Sequence, residues 1–374
     1  MKTRIHALLQ LRSPLHIAHP NNARMSDAGQ MVYGDQGFPC TAIQKLRVSN
    51  GDSMHDLPVI AGNNIAGRLR RHAATLVLNA LLEKGQKVTL QTYGVLMCGA
   101  ATGNPDTEDM TYAEYVESKN NVYFGLFGGG PKMFERKVRV HNALPVTAKT
   151  IHLRGDLSHP GAQEHIVPEG RMTGVWGFRR VDDLRDLSNI ALAEGSVEKF
   201  QEEFEKRQGE ILANKKDKEA GDESSSKFST KTYSALEFVV PGVTFDHLFE
   251  LDIATDAQLG LFLLSLDSLC ATERLGGYVR NGFGAFTLEN VLLVNGDGKN
   301  VEIFQNGRLK LNEPVVEAAL QAWDYEAAQL DAKKIDDLVA ISEAAIKARE
   351  KKEQAKLEKK AKAQKEKLAA AAAE

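Results

Sequence analysis

Leu248-Phe249-Glu250-Leu251-Asp252-Ile253-Ala254 alternates apolar with polar residues, and the stretch that follows, Asp256-Ala257-Gln258-Leu259-Gly260-Leu261-Phe262-Leu263-Leu264-Ser265-Leu266-Asp267-Ser268-Leu269, changes the period. In the first, Phe249, Leu251 and Ile253 share one side, as a half-buried strand requires, because successive strand side chains point to opposite faces. In the second, Leu259, Phe262, Leu263, Leu266 and Leu269 recur at helical spacing, a wide apolar stripe with Asp256 placed as its N-cap. Arg274 and Gly276-Gly277 close that helix. A strand feeding an amphipathic helix is part of a split β-α-β unit, so the fold turns on what lies on either side.

Upstream, Thr3 to Leu11 sets Ile5, Ala7, Leu9 and Leu11 against Arg4, His6 and Gln10, a first strand. Ile65 to Leu82 carries Ile65, Leu69, Ala73, Leu76 and Ala80 at helical spacing. That helix is opened by Gly62-Asn63-Asn64, where asparagine is expected to cap the free amides, and is stopped by Lys84-Gly85. Alternation returns at Lys137 to Val146 through Val138, Val140 and Leu144. Downstream, Phe283 to Val294 reads as a last strand ending at the turn Asn295-Gly296-Asp297-Gly298. The order βαββαβ predicts an α+β, ferredoxin-like or RRM-like core, with two helices on one sheet face and the other face open as a nucleic-acid platform.

Large insertions interrupt this core, which is expected to occupy residues 1–300. Residues 84–135 read as a helical, finger-type insertion. Residues 147–242 read as a projecting arm with a disordered tip, holding Trp176, Phe178 and the charged stretch Asn214 to Lys227. Residues 301–374 form a C-terminal helical extension: a helix near Pro314 to Leu330, then a Lys/Ala-rich tail whose Ile346 to Leu368 carries ten basic and four acidic residues and reads as a solvated face.

Net charge is -3, and ten of the 47 Lys and Arg lie between Lys347 and Lys367, so the remainder is more acidic than the total. That counts against a generic polyanion binder and means that nucleic-acid binding here would require clustered arginines. No apolar run approaches the roughly 18 residues of a membrane span and the start lacks a long apolar core, so a cytoplasmic protein with no membrane partner is expected. Cys40, Cys98 and Cys270 are scattered, which fits three buried thiols rather than a disulfide or zinc site. Gly125 to Lys132 lacks the spacing of an NTPase phosphate loop, and GxSxG and HExxH are absent. No cofactor or metal is indicated.

Two glycine-rich basic segments converge in this fold order. Pro58-Val59-Ile60-Ala61-Gly62-Asn63-Asn64-Ile65-Ala66-Gly67-Arg68-Leu69-Arg70-Arg71 opens the first helix. Leu275-Gly276-Gly277-Tyr278-Val279-Arg280-Asn281-Gly282-Phe283-Gly284-Ala285-Phe286 joins the second helix to the last strand. Helix N-terminal amides, close-approaching glycines and guanidinium forks suit phosphate. Gly62, Asn63, Asn64, Gly67, Arg68 and Arg71 on one side, with Gly276, Gly277, Arg280, Asn281, Gly282 and Gly284 on the other, are the candidate track. Alone, Gly62 to Arg71 reads as an ordinary helix with solvated arginines; the second segment and the fold order reverse that.

These two segments resemble the first-helix opening and glycine-rich loop of the RAMP superfamily. With Tyr123-Phe124-Gly125-Leu126-Phe127-Gly128-Gly129 they resemble the effector backbone subunits of the seventh Cas family, over Met1 to Val294. The chain departs from the family where Asn63 and Asn64 stand in place of serines, and where Val279-Arg280-Asn281 replaces a serine-bearing basic stretch. The resemblance implies a non-enzymatic subunit that binds CRISPR guide RNA and stacks with copies of itself in a filament. It would also meet other effector subunits and present the guide to complementary DNA or RNA. Residues 147–242 would be a thumb that kinks the guide, with Trp176 or Phe178 either stacking on bases or packing the arm. His16-Ile17-Ala18 matches the family's His-Ile-Gly, and His16 and Arg24 in that loop join Trp176 among residues expected on RNA.

The motif variants, the Lys/Ala-rich extension and a loop without a marked catalytic aspartate favour a type IV effector. The alternatives are a type III-like subunit that cleaves target RNA through Asp27 or Asp35, and a monomeric RAMP guide-processing endoribonuclease using His16 and His19.

Overall fold

The computed structural model describes residues 2–19, 31–33, 36–38, 40–49, 51, 53–99, 110–168, 172–181, 231–272, 274–294 and 298–342, with scattered positions in 194–206 and 347–357. Its strands are β1 Lys2–Leu11, β2 Met31–Tyr33, β3 Gln36–Phe38, β4 Cys40–Thr41, β5 Lys45–Ser49, β6 Met54–Pro58, β7 Val138–Val140, β8 Leu144–Pro145, β9 Thr173–Val181, β10 Lys231–Val239, β11 Thr244–Asp252, β12 Phe286–Val294, β13 Asn300–Glu302, β14 Phe304–Gln305 and β15 Arg308–Leu309. Its helices are α1 Gly62–Glu83, α2 Leu90–Cys98, α3 Tyr112–Asn120, α4 Phe124–Phe127, α5 Asp256–Thr272, α6 Pro314–Gln329 and α7 Ala332–Val339. The chain forms two units: Met1–Ala23, Ala42–Gly174 and Glu237–Glu374 make one, and Arg24–Thr41 with Val175–Leu236 make the other.

In the larger unit the sheet runs β13-β12-β1-β11-β7, with β8 also on β11. β1 lies antiparallel between β11 and β12, in a register that sets Ile5 opposite Phe249 and Leu293. β12, β1, β11 and β7 are the fourth, first, third and second strands of the βαββαβ order, the ferredoxin-like arrangement, so the α+β reading holds. The alternation in β1 explains the packing. Ile5, Ala7, Leu9 and Leu11 lie in one buried cluster with Ile65, Leu69, Ala73 and Val77 of α1 and with Leu259, Phe262, Leu266 and Leu269 of α5.

The other face is not open. Leu8, in the polar column of β1, packs with Val146, Ala162 and Ile151, so the chain after β8 folds back across the sheet. Arg154 ties this cover down by donating to the carbonyl oxygens of Asp246, at 3.1 Å, and Asn142, and its guanidinium pairs with the Asp246 carboxylate at 3.5 Å. His159 donates from Nε2 to Asn290 O at 2.6 Å, while its Nδ1 accepts from the Gly161 amide. The expected platform is lost because a sheet column holding Leu8 must be covered to remove that side chain from water.

Both helix starts differ from the sequence expectation. α1 begins at Gly62 with Ala61 as N-cap, and the Gly62 amide donates to Asn142 Oδ1 at 2.9 Å, so Asn63 and Asn64 lie inside the first turn. A Cβ at Gly62 would sit 2.1 Å from Val140 O, so this close approach to β7 requires glycine. α5 is capped by Thr255 rather than Asp256: Gln258 N donates to Thr255 Oγ1 at 3.2 Å and Thr255 N to Gln258 Oε1 at 3.1 Å. This reciprocal pair satisfies two helix-terminal donors and leaves Asp256 in the first turn.

Boundaries shift for similar local reasons. β11 ends at Asp252, and Ile253, at φ 48°, is 73% exposed rather than facing inward with Phe249 and Leu251. The second strand is split into β7 and β8, and Ala143 between them bridges to Ile60. Cys40 is buried but Cys98 is exposed at the end of α2 and Cys270 is half-buried, so the three thiols are not alike. Among the described residues no helix is long and apolar enough to cross a membrane.

In the smaller unit, β4, β10 and β9 form one sheet, with β4 and β10 parallel, and β2 and β3 form a hairpin. Trp176 and Phe178, two residues apart on β9, stack with ring centroids 5.8 Å apart and planes 5° apart. Arg24, Asp27, Asp35 and Asn214 to Lys227 lie outside the described residues.

The buried histidines give the larger unit an acid sensitivity. Burial brings His247 down to about 3, with Arg154 adding to the effect, and burial with the positive charges of His159, Arg4 and Arg154 brings His6 to about 4. Burial raises Glu250, but hydrogen bonds from Lys2 and His141 outweigh it and hold the carboxyl at about 2. All three groups sit below their unfolded values, so the unfolded chain takes up protons first. Stability is full above about pH 6.5, the free histidine value, and declines as pH falls toward 3. Thermal melts between pH 7.5 and about 4 should show Tm falling steadily with acid; a flat profile would contradict the buried, uncharged state of these histidines.

Candidate nucleic-acid interface

Three segments of the larger unit meet at one surface: the turn after β1, the start of α1, and the loop between α5 and β12. The loop is closed at its base, where Leu275 N donates to Gly284 O at 2.9 Å and Gly284 N donates to Pro14 O at 2.8 Å. Gly277 N donates to His16 O at 2.8 Å, which ties the loop to the turn after β1. Gly276, at φ +74°, would bring a Cβ to 2.3 Å from His16 O, so this contact excludes any larger residue. Between these anchors Val279–Asn281 forms a single 3-10 turn that projects outward.

Arg68 joins the loop to the helix. Its Nη2 donates to Gly276 O at 3.4 Å, and its Nε reaches Asn64 Oδ1 at 3.5 Å. Both contacts are long for hydrogen bonds. Asn63, Arg71, Gly277, Arg280, Asn281 and Gly282 are exposed, Asn64, Gly67, Arg68 and Gly276 are half-buried, and Gly62 and Gly284 are buried. Arg71 and Arg280 have no carboxylate partner among the described residues, in contrast with Arg47, Arg139 and Arg308, which are each paired.

His16 enters this surface as a brace. Its ring is 3% exposed, donates from Nδ1 to Glu237 O at 2.6 Å, and meets Tyr278 edge-on at 5.4 Å. The Glu237 carboxylate is itself fixed, accepting from Ile43 N at 3.1 Å and pairing with Lys45 at 2.6 Å. Trp176 belongs to the smaller unit. Arg274, which the sequence reading did not select, is exposed beside the loop and donates to Gly282 O at 3.2 Å. Its place just ahead of the glycine pair was the available signal.

The arrangement offers a helix start, an exposed turn and several guanidiniums on one side of the core. Such an array grips an extended anion by charge and hydrogen bonding without reading its sequence.

A ferredoxin-like core with a basic glycine-rich loop beside its first helix defines an RRM-like α+β protein with a phosphate-suited surface. The RAMP superfamily model matches residues 9–287, and the chain belongs to that superfamily. Among solved structures it is similar to a chain of a "Type IV-B CRISPR Complex", at 16% identity and a TM-score of 0.44, covering 84% of this chain and 96% of that one. No curated protein sequence matches it.

Proposed function

We propose that this chain is a non-catalytic backbone subunit of a CRISPR effector. In this reading it oligomerises along guide RNA and holds the guide for pairing with target DNA or RNA. Membership of the superfamily supports the RNA-guided setting. The observation that carries the reading is the contact between Arg68 and Gly276 O, which sets the two sequence motifs side by side with Arg71 and Arg280 exposed. Local cations suffice for phosphate binding in a chain of net charge -3, because screening limits the reach of distant carboxylates.

Specificity would lie in base pairing, with the protein holding the guide backbone. Residues 84–135, 147–242 and 301–374 would supply the finger-type insertion, the thumb and the helical extension that contact neighbouring copies and other effector subunits. Head-to-tail contacts of this kind need no two-fold axis. The burial of His16 and the commitment of its Nδ1 to Glu237 O favour a bracing role over acid/base work in RNA cleavage.

Protein purified from cells that also express the guide and the other effector subunits should elute as several copies on one uniform short RNA, identified by sequencing. A lone chain free of oligonucleotide would overturn the proposal. Incubating the assembly with complementary RNA and a divalent cation should leave that RNA whole. Evenly spaced cuts that disappear in Asp27→Ala would instead establish the target-cleaving alternative.

A further inference from the structure

We infer that Tyr278 is a base-stacking platform, placed by the glycine-rich loop so that one nucleobase lies on its ring while the arginines beside it hold the flanking phosphates. This rests on the RNA-binding reading and adds a contact to the base where that reading invokes only the backbone.

The starting observation is conformational. Tyr278 adopts φ 57°, ψ 27°, the left-handed region that an L-residue with a bulky side chain avoids. In the same loop Gly276, Gly282 and Gly284 also have positive φ, and among the described non-glycine residues at positive φ, Met133, Ile253, Tyr278, Asn290 and Asn306, Tyr278 is the aromatic one. An aromatic residue held in that region is backbone strain at a candidate site, where it calls for a function of the side chain.

The packing of the ring says which function. Tyr278 meets His16 edge-on at 5.4 Å and Phe283 at 6.1 Å with a 50° tilt, and Phe283 is fully buried. His16 is fixed in turn by its bond to Glu237 O. The ring is therefore buttressed from the core, yet Tyr278 as a whole remains 43% exposed, next to Val279 at 42%. A tyrosine serving only as a plug would be covered. Here a half-exposed aromatic stands two residues from the exposed Arg280, in the loop whose Gly282 O accepts from Arg274. An aromatic face flanked by guanidiniums is the arrangement that binds single-stranded nucleic acid without base preference, because every base presents a π-face.

The test uses the full chain, a labelled single-stranded RNA, and an abasic ribose-phosphate oligomer of equal length, with affinities measured over a range of salt. Tyr278→Ala should weaken RNA binding by roughly 5- to 100-fold and leave both abasic binding and the salt slope unchanged. Tyr278→Phe and Tyr278→Trp should stay near wild type. Tyr278→Gly is at ease at this φ, so it should lose the same base-dependent affinity without lowering Tm, which separates stacking from loop collapse. Equal losses on RNA and abasic oligomer, or no loss on either, would overturn the stacking role while leaving phosphate binding intact. Failure of the wild-type chain to bind RNA would overturn the underlying reading, and this inference with it.

Discussion

Replacing Arg154 with alanine should destabilise the larger unit by about 3–5 kcal/mol, because it strands a carboxylate beneath a covered sheet face. Arg154 and Asp246 side chains are 11% and 9% exposed, and the guanidinium also satisfies the carbonyl oxygens of Asp246 and Asn142. Burial raises the Asp246 carboxyl above its ordinary value, and the positive charge of Arg154 opposes that rise. Without Arg154 the carboxyl is driven further up and accepts a proton more readily. The loss should therefore be greatest near neutral pH and shrink as acid neutralises Asp246. Thermal denaturation of Arg154→Ala across pH would read this dependence. Replacing Arg154 and Asp246 together with apolar residues of similar size should recover most of the loss, since no unpaired charge then remains buried. A single variant as stable as wild type at pH 7 would show that the pair does not hold the cover in place.

The elements of the core were legible because their signals are local. The change from alternation at Phe249 and Leu251 to the stripe of Leu259, Phe262, Leu266 and Leu269 places a strand before a helix, and the observed β11 and α5 follow it. Capping was less legible where the partner is remote. The Gly62 amide is satisfied by Asn142, a residue of the β7–β8 connection far along the chain, and no pattern near Gly62 reveals it. The Thr255–Gln258 box was readable, but the carboxylate of Asp256 drew the assignment one residue too far. The covered sheet face had one local sign, Leu8 between His6 and Gln10 in the polar column of β1, and its partners lie beyond β8. At the candidate site the residue types were readable from glycine and arginine spacing. The closure of the loop on Pro14 and His16 was not, because it is made by backbone atoms that carry no side-chain signature.

Joint replacement of Arg68 and Arg280 by alanine should weaken guide-RNA binding by roughly a hundred- to ten-thousand-fold, on the basis of about 1.5–3 kcal/mol for each charge-assisted contact. The two residues are expected to contribute differently. Arg280 is exposed on the 3-10 turn, so its removal should leave Tm unchanged and reduce the salt slope by about 0.7, the value for one phosphate on a single strand. Arg68 also contacts Gly276 O and Asn64 Oδ1, so its loss should loosen the loop and perturb more than one RNA contact. Arg68→Lys keeps the charge but not the planar fork. It should therefore retain the salt slope while losing part of the affinity. In the proposed reading both residues act on one track, so the double variant should lose less than the sum of the single losses if the loosened loop already displaces Arg280. Filter-binding or anisotropy titrations at several salt concentrations would resolve these terms. Wild-type affinity and slope in the double variant would place the RNA on another surface of the chain.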